Sequence, residues 1–309
     1  MPEAMQKQAS SPDSRCGFVA VIGAPNVGKS TLVNALVGSK ISIVTPKVQT
    51  TRALIRGIAV EGQAQLILVD TPGIFAPRRR LDRAMVDSAW AGTRDADLVT
   101  LVIDANKGVR DDDEAIVGGL AGIPAVKVLV LNKIDLVAKP KLLDLARALN
   151  DREAFAASFM ISARSADGVA ELKNFLAAHL PAGPWLYPAD QISDAPTRQF
   201  AAEVTREKLY LQLHQELPYQ STVETEMWKE LKDGSVRVEQ TIYVERESQR
   251  KIVLGKGGQT IRAIGAAARA DIAAAIERPV HLFLFVKVRE HWADDPERYR
   301  EMGLEFPKS

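Results

Sequence analysis

The chain has 309 residues, and at roughly 100–200 residues per domain it accommodates about two domains. Hydrophobic residues make up 46% and charged residues 26%, and no apolar run approaches the ~20 residues that span a bilayer, which argues against a helical membrane-spanning class. A net charge of +1 means that any affinity for nucleic acid has to come from local clustering, and the single cysteine, Cys16, excludes an intrachain disulfide and fits a reducing compartment.

Residues 1–14 contain no apolar core of the secretory kind and read as a disordered lead-in. Cys16 precedes the first strand and reads as a packing residue rather than a nucleophile. Strands are expected at Phe18–Ile22, Gln65–Val69, Leu98–Asp104 and Val126–Leu131. Runs this apolar suggest strands covered on both faces, so residues 15–180 read as an α/β domain with a mostly parallel sheet and helices on both faces. Residues 181–196, with four prolines, read as a linker. From 197 to 309 the pattern changes to α+β. A helix is expected from Thr197 to about Glu216, alternating segments at Gln220–Glu230 and Ser235–Glu245, a helical region over Ser248–Glu277, and a last strand over Val280–Arg289. On that strand Val280, Leu282, Leu284, Val286 and Val288 share one face.

Directly after the first strand, Gly23-Ala24-Pro25-Asn26-Val27-Gly28-Lys29-Ser30 fits GxxxxGK[ST] and leads through Thr31 into a helix expected to Val37. Glycines let backbone N–H groups curl around phosphates, and the helix N-terminus adds partial positive charge. In such a loop Lys29 reaches the outer phosphates and the Ser30 hydroxyl ligates Mg²⁺. A glycine-rich turn is the plain alternative, and the strand–loop–helix placement argues against it.

Three later segments choose the nucleotide. Asp70-Thr71-Pro72-Gly73 ends a strand, so Asp70 can hold the Mg²⁺ shell and the Gly73 N–H can bond the terminal phosphate. Asn132-Lys133-Ile134-Asp135 ends another. The Asp135 carboxylate can accept two parallel bonds from guanine that adenine cannot offer, and an unpaired buried acceptor costs ~1–3 kcal/mol. Asn132 is expected to brace neighbouring loops, the Lys133 stem to cover the base, and a backbone N–H of Ser162-Ala163 to bind the guanine carbonyl.

These residues resemble the TRAFAC class of GTPases. The resemblance implies a Mg²⁺-binding threonine in Gln49-Thr50-Thr51-Arg52, with Thr51 favoured over Thr50, and catalytic roles for Lys29, Thr51 and Gly73. Many members place a water-orienting Gln after the DxxG glycine. Here Ile74 stands instead, which implies slow intrinsic turnover raised by a partner or an ion. In several related GTPases an Asn at the position of Asn26 ligates K⁺, and that role is carried over to Asn26.

In the second half, Ile252-Val253-Leu254-Gly255-Lys256-Gly257-Gly258-Gln259-Thr260-Ile261 contains a GxxG turn between two short helices. A plain helix–turn–helix corner is one reading. The order helix–strand–strand–helix–helix–strand supports the other, a type II KH domain, whose glycines let about four nucleotides approach closely. Lys256 adds a charge for phosphate, and Ile252, Val253 and Ile261 are expected to floor the bases. Arg246, Arg250, Lys251, Lys256, Arg262 and Arg269 face only Glu247 between 246 and 269, so positive charge concentrates around the turn. Arg78-Arg79-Arg80 is either solvated surface or a further RNA contact.

A GTPase domain followed by one type II KH domain resembles the Era family of bacterial ribosome-assembly GTPases. The stretches GAPNVGKSTLVNAL, ISIVTPKVQTTR, VDTPGIF, LNKIDLV, ELPY and ERESQRKIVLGKGGQTI carry the likeness, with Ala24 and the Pro77–Arg80 segment as departures. The resemblance implies GTP/GDP and Mg²⁺, with K⁺ as a candidate, and binding to the 3′ end of small-subunit ribosomal RNA. It also implies a role in assembly and maturation of the small subunit, a monomer, and a cytoplasmic location with peripheral contact at the inner membrane. The linker at 181–196 is expected to transmit nucleotide state to the KH domain. Two alternatives stand beside this: a GTP-gated RNA chaperone with little hydrolysis, and a tRNA-modification GTPase, although the C-terminal cysteine motif of the latter is missing from EMGLEFPKS.

Overall fold

The computed structural model describes residues 13–213 and 217–307. Most of the lead-in expected over 1–14, and the end of the helix expected to reach Glu216, lie outside the described residues. In chain order the elements are β1 (Arg15–Ile22), α1 (Lys29–Val37), β2 (Ile55–Glu61), β3 (Ala64–Asp70), α2 (Arg80–Arg94), β4 (Leu98–Asp104), α3 (Asp111–Gly119), β5 (Val126–Asn132), α4 (Lys139–Asn150), β6 (Ala157–Ile161) and α5 (Val169–His179). The second half adds α6 (Thr197–Gln212), β7 (Ser221–Glu230), β8 (Val236–Val244), α7 (Glu247–Leu254), α8 (Gln259–Ile276), β9 (Val280–Val288) and α9 (Pro296–Glu301).

The six strands of the first half form one sheet in the order β2-β3-β1-β4-β5-β6, with β3, β1, β4, β5 and β6 parallel. Every residue of β3 and of β4 is buried, which is the burial that continuous apolar strands require. α1 and α5 pack on each other and on β3, and α4 packs on β5. The strand β2 falls outside the sequence expectation, because Arg56 and Gly57 interrupt its apolar run, as suits a sheet edge.

The chain forms two compact units. One holds residues 13–39, 56–70 and 91–194; the other holds 40–55, 71–90 and 195–307. Two sequence expectations change with this division. First, the stretch read as a free linker is a strap on the first unit. Leu186 N and Tyr187 N donate to Gln65 Oε1 at 2.9 and 3.0 Å, Ile58 N donates to Ile192 O at 2.9 Å, and Arg56 pairs with Asp194 at 3.0 Å. Its prolines cannot continue a helix, yet the Leu186 and Tyr187 N–H groups find a partner on β3 and the Ile192 carbonyl finds one on β2. Second, the segments around Thr51 and after Asp70 belong to the same unit as the C-terminal half.

That second unit contains the three-stranded sheet β7-β8-β9, antiparallel between β7 and β8 and parallel between β8 and β9. The order α6-β7-β8-α7-α8-β9 is that of a type II KH domain. Two apolar clusters lie under one sheet face. Leu209, Val223, Ile242, Val253 and Ile264 centre one, and Val204, Val236, Val238, Ala268 and Ile272 the other.

Candidate functional site

In the first unit the loop after β1 is shaped by two glycines that nothing larger could replace. Gly23 has φ +148°, and a Cβ there would sit 2.4 Å from Val102 O. Gly28 has φ +103°, and its Cβ would sit 2.3 Å from Asn132 Nδ2. Both contacts are below any real Cβ distance, so the loop closes on its neighbours only with glycine. Asn26 also lies in the left-handed region, at φ 65°. Lys29 opens α1 and is buried, with Nζ donating to Gly23 O and Ala24 O at 3.0 Å each. Burial pulls its pKa down to about 8, while the Asp70 and Asp113 carboxylates pull it back up. Asp70 is fully buried at the end of β3.

Asn132 ties the loops of this site together. Its Nδ2 donates to Val27 O at 2.9 Å, and its Oδ1 accepts from Lys133 N at 2.8 Å and Ala163 N at 2.9 Å. Lys133, at φ 66°, sends Nζ to Asn26 O and to Asp104 Oδ2, both at 2.7 Å. Ile134 and the exposed Asp135 follow in a single 3-10 turn. The N–H groups read from sequence as guanine contacts are engaged elsewhere. Ser162 N donates to Asp167 O at 3.0 Å and Ala163 N to Asn132, so these two residues brace the loop.

In the second unit Thr51 is buried, while Thr50 shares a 2.7 Å hydrogen bond with Thr45 and accepts from Arg206 on its carbonyl at 2.5 Å. Arg52 is 4% exposed. It donates to Ser221 O at 2.9 Å and to the Tyr210 hydroxyl at 2.7 Å, with longer bonds to Pro218 O and Tyr219 O. Lys47 Nζ donates to Tyr210 O in the last turn of α6 and to Leu213 O just beyond it. Glu207 accepts from Lys40 at 2.6 Å and from Val44 N at 2.9 Å; burial pushes its pKa up, but these bonds and Lys208 hold it below the usual carboxylate range. Gln49 donates to Asp82 at 2.8 Å, and Asp82 also accepts from Arg78 N and Arg79 N. Thr71, Pro72 and Ile74 are buried, and Gly73 is half-buried. No local pattern marks this web, because its partners on α6 and β7 lie more than 150 residues away.

At the GxxG turn Gly255 has φ 72°, and a Cβ would meet Thr260 Oγ1 at 2.2 Å. Lys251, Lys256 and Arg262 are exposed; Arg262 Nε donates to Gly258 O at 3.1 Å, and its NH2 to Gly257 O. Arg250 donates to Val286 O at 3.2 Å. Ile252 is 56% exposed, but Val253 is fully buried in the core and cannot floor the bases. Neighbouring helical residues point about 100° apart, so Ile252 and Val253 cannot share a face. A groove of its own runs between α8 and β9, lined by Ile261, Arg262, Arg269, Phe283 and Phe285. The two phenylalanines were missed; the signal for them was the face of β9 opposite Leu282 and Leu284.

A family model for 50S ribosome-binding GTPases matches residues 18–133, and a KH-domain model matches residues 216–293. GTPase Era of Afipia carboxidovorans is 67% identical over 308 residues, covering 100% of both chains. The chain belongs to the Era family of GTPases. GTPase Era of Bradyrhizobium sp. is 66% identical, covering 98% of this chain and 99% of the relative, and that of Rhizobium meliloti is 64% identical, covering 97% and 96%. A crystal structure of Era in complex with MgGDPNP and nucleotides 1506–1542 of 16S ribosomal RNA superimposes with a TM-score of 0.89 at 35% identity, covering 94% of this chain and 99% of the other. An Aquifex aeolicus Era variant bound to GDP and aluminium fluoride matches with the same TM-score, identity and coverage. No helix among the described residues of this Era-family chain is long and apolar enough to cross a membrane.

Proposed function

We propose that this GTPase works as a switch that binds the 3′ end of small-subunit ribosomal RNA and assists assembly and maturation of the small ribosomal subunit. The observation that carries the reading is the web from Lys40 to Arg52. The segment expected to sense the terminal phosphate is hydrogen-bonded to α6 of the same unit that bears the GxxG groove. A change in one therefore has a direct physical route to the other, without passing through 181–196, and coupling of two binding equilibria is reciprocal.

In this reading Lys29 supplies positive charge to the outer phosphates, the Gly73 N–H bonds the terminal phosphate, and Asp135 selects guanine. A hydroxyl at a helix N-terminus and a fully buried strand-end carboxylate are hard oxygen donors that suit Mg²⁺, so Ser30 and Asp70 would hold it, and Thr51 is the further ligand that the family resemblance implies. Held there, the ion would supply positive charge against the phosphate oxygens. Ile74 offers no group to orient water and is buried, so turnover without a partner is slow. Asn26 would ligate K⁺, which would supply positive charge where an arginine finger otherwise stands. Gly255, Lys256, Gly257 and Gly258 clamp the RNA backbone, with Arg250, Lys251 and Arg262 around it. The protein acts as a cytoplasmic monomer with peripheral contact at the inner membrane.

The test is GTP hydrolysis in K⁺ and in Na⁺, with and without an oligonucleotide matching the 3′ end of the small-subunit RNA. Stimulation that disappears in Gly257→Asp supports the coupled switch. A Cβ at Gly257 meets nothing within 4 Å, and Asp tolerates its φ of 59°, so that variant adds a charge without a clash. Tight RNA binding with no stimulation leaves two independent modules. The burial of Ile74 also keeps a second reading, a GTP-gated RNA chaperone with little hydrolysis, and multiple-turnover phosphate release separates the two.

A further inference from the structure

The KH sheet has two faces of different character. Toward the helices β9 presents Val280, Leu282, Leu284 and Val286, which join the two apolar clusters. Its other face carries His281, Phe283, Phe285 and Lys287, all exposed. Phe283 is 42% and Phe285 49% exposed, and Met227, in line with Phe283 through Glu239 of β8, is 41% exposed. An outward sheet face is ordinarily polar, so two neighbouring phenylalanines there call for a partner. The rings are set among cations. The Arg237 guanidinium lies 4.6 Å from the Phe283 centroid, and Lys287 follows Phe285 on the same face. Both cations also touch carboxylates, Arg237 to Glu239 and Lys287 to Glu226, on side chains that are half exposed.

Phe283 and Phe285 also line the groove beside α8, with Arg262 and Arg269 across from them. The outer face is thus continuous with the GxxG groove around the free edge of β9. We propose that this outer face is a second platform for single-stranded RNA: the strand leaving the GxxG groove crosses the β9 edge and stacks bases on Phe283 and Phe285, with Arg237 and Lys287 taking phosphates. Aromatic rings on an open sheet are a general means of holding unstacked bases, and every base has a face to stack. The proposal rests on the RNA-binding reading above and lengthens its footprint beyond the about four nucleotides that a GxxG groove clamps.

The test compares a short oligonucleotide that fills only the groove with versions extended by about four nucleotides on the 5′ or the 3′ side, using the full chain. Wild-type protein is expected to bind one extended version more tightly. Because both rings also line the groove, Phe283→Ala and Phe285→Ala should weaken the short version as well, but should cost roughly tenfold more on the extended one, so that the gain from the extension disappears. Phe283→Trp, which keeps a stacking surface, should restore the difference. Arg237→Gln should reduce the salt slope for the extended version by about one, as loss of one phosphate contact does. If both phenylalanine variants bind every oligonucleotide like wild type while Gly257→Asp abolishes binding, the groove stands and the platform is overturned. If wild type binds none of the oligonucleotides, the RNA reading itself fails. Loss of small-subunit association by the phenylalanine variants with unchanged oligonucleotide binding would assign the face to a protein instead.

Discussion

The guanidinium of Arg52 lies over the indole of Trp292, 5.5 Å from its centroid. Arg52 follows Thr51 directly, and Trp292 comes four residues after the end of β9. The indole N–H donates to Gln220 O at 3.0 Å, and the ring packs with Leu81, Ala84 and Met85 of α2, Tyr299 and Leu304. One side chain therefore touches the segment around Thr51, the helix that follows Asp70–Ile74 and the approach to β7.

Replacing this ring with alanine should cost about 3–5 kcal/mol, the range for emptying a buried aromatic site. Trp292→Phe should lose far less, about 1 kcal/mol for the hydrogen bond to Gln220. Hydrogen exchange in α2 and α6 reads the difference, with protection expected to fall in Trp292→Ala and to persist in Trp292→Phe. RNA stimulation of GTP hydrolysis should weaken in parallel. Unchanged protection in Trp292→Ala would mean that the cluster contributes little to the hold on α2.

Asn132 makes three hydrogen bonds to three different loops, and all three groups lose their partner in Asn132→Ala. A buried polar group left unpaired costs about 1–3 kcal/mol. Affinity for GTP and GDP should fall together by on the order of a hundredfold, because the bonds hold the loop rather than a particular phosphate. Titration with both nucleotides checks this, and RNA binding should be unaltered. A loss confined to GTP would place Asn132 in the sensing of the terminal phosphate instead.

The phosphate loop and the sheet were legible because their signals are local. A strand fully covered by helices is apolar at every position, and GxxxxGKS needs only its own residues and the strand before it. The brace by Asn132 is legible from the NKxD motif that carries it, although its partners Val27 and Ala163 lie far along the chain. What escaped is long-range. Nothing in PKVQTTRAL marks Arg52 as buried; its partners Tyr210 and Ser221 are distant in sequence. Val253 was misjudged because three successive apolar residues, Ile252-Val253-Leu254, carry no mark of which one the helix turns inward. The alternation of Leu282 and Leu284 marks the inner face of β9, and nothing local marks Phe283 and Phe285 on the outer one. The prolines of 181–196 read as a linker, whereas the groups that hold it as a strap, the Ile58 N–H and Arg56 on β2 and Gln65 on β3, are distant in sequence.

Lys29 gives a pH dependence whose sign can be worked out. Its folded pKa of about 8 lies below the ordinary 10.5 because burial disfavours the charge. Between those two values the unfolded chain binds more protons than the folded one, so this group makes stability rise with pH across that window. Phosphate binding acts the other way: the anion favours the charged amine and raises its pKa. Above pH of about 8 nucleotide binding should therefore take up a proton, and affinity should fall as pH rises. Calorimetry at pH 9 in two buffers of different ionisation heat measures the uptake directly. Lys29→Met should remove it, and an equal uptake in that variant would move the titrating group elsewhere.

Asn26 needs a variant chosen with its backbone in mind. At φ 65° it sits where Asn is tolerated and most side chains are strained by roughly 1–2 kcal/mol. Asn26→Ala would therefore confuse loss of an oxygen ligand with distortion of the loop, whose carbonyl at this position also holds Lys133 Nζ at 2.7 Å. Asn26→Gly keeps the backbone conformation and removes only the side chain. If the side-chain oxygen ligates K⁺, Asn26→Gly should hydrolyse GTP at the same rate in K⁺ and Na⁺ while binding GTP like wild type, and Asn26→Asp should keep its preference for K⁺. Equal K⁺ stimulation in wild type and Asn26→Gly would show that the ion, where it acts, is held by backbone carbonyls alone.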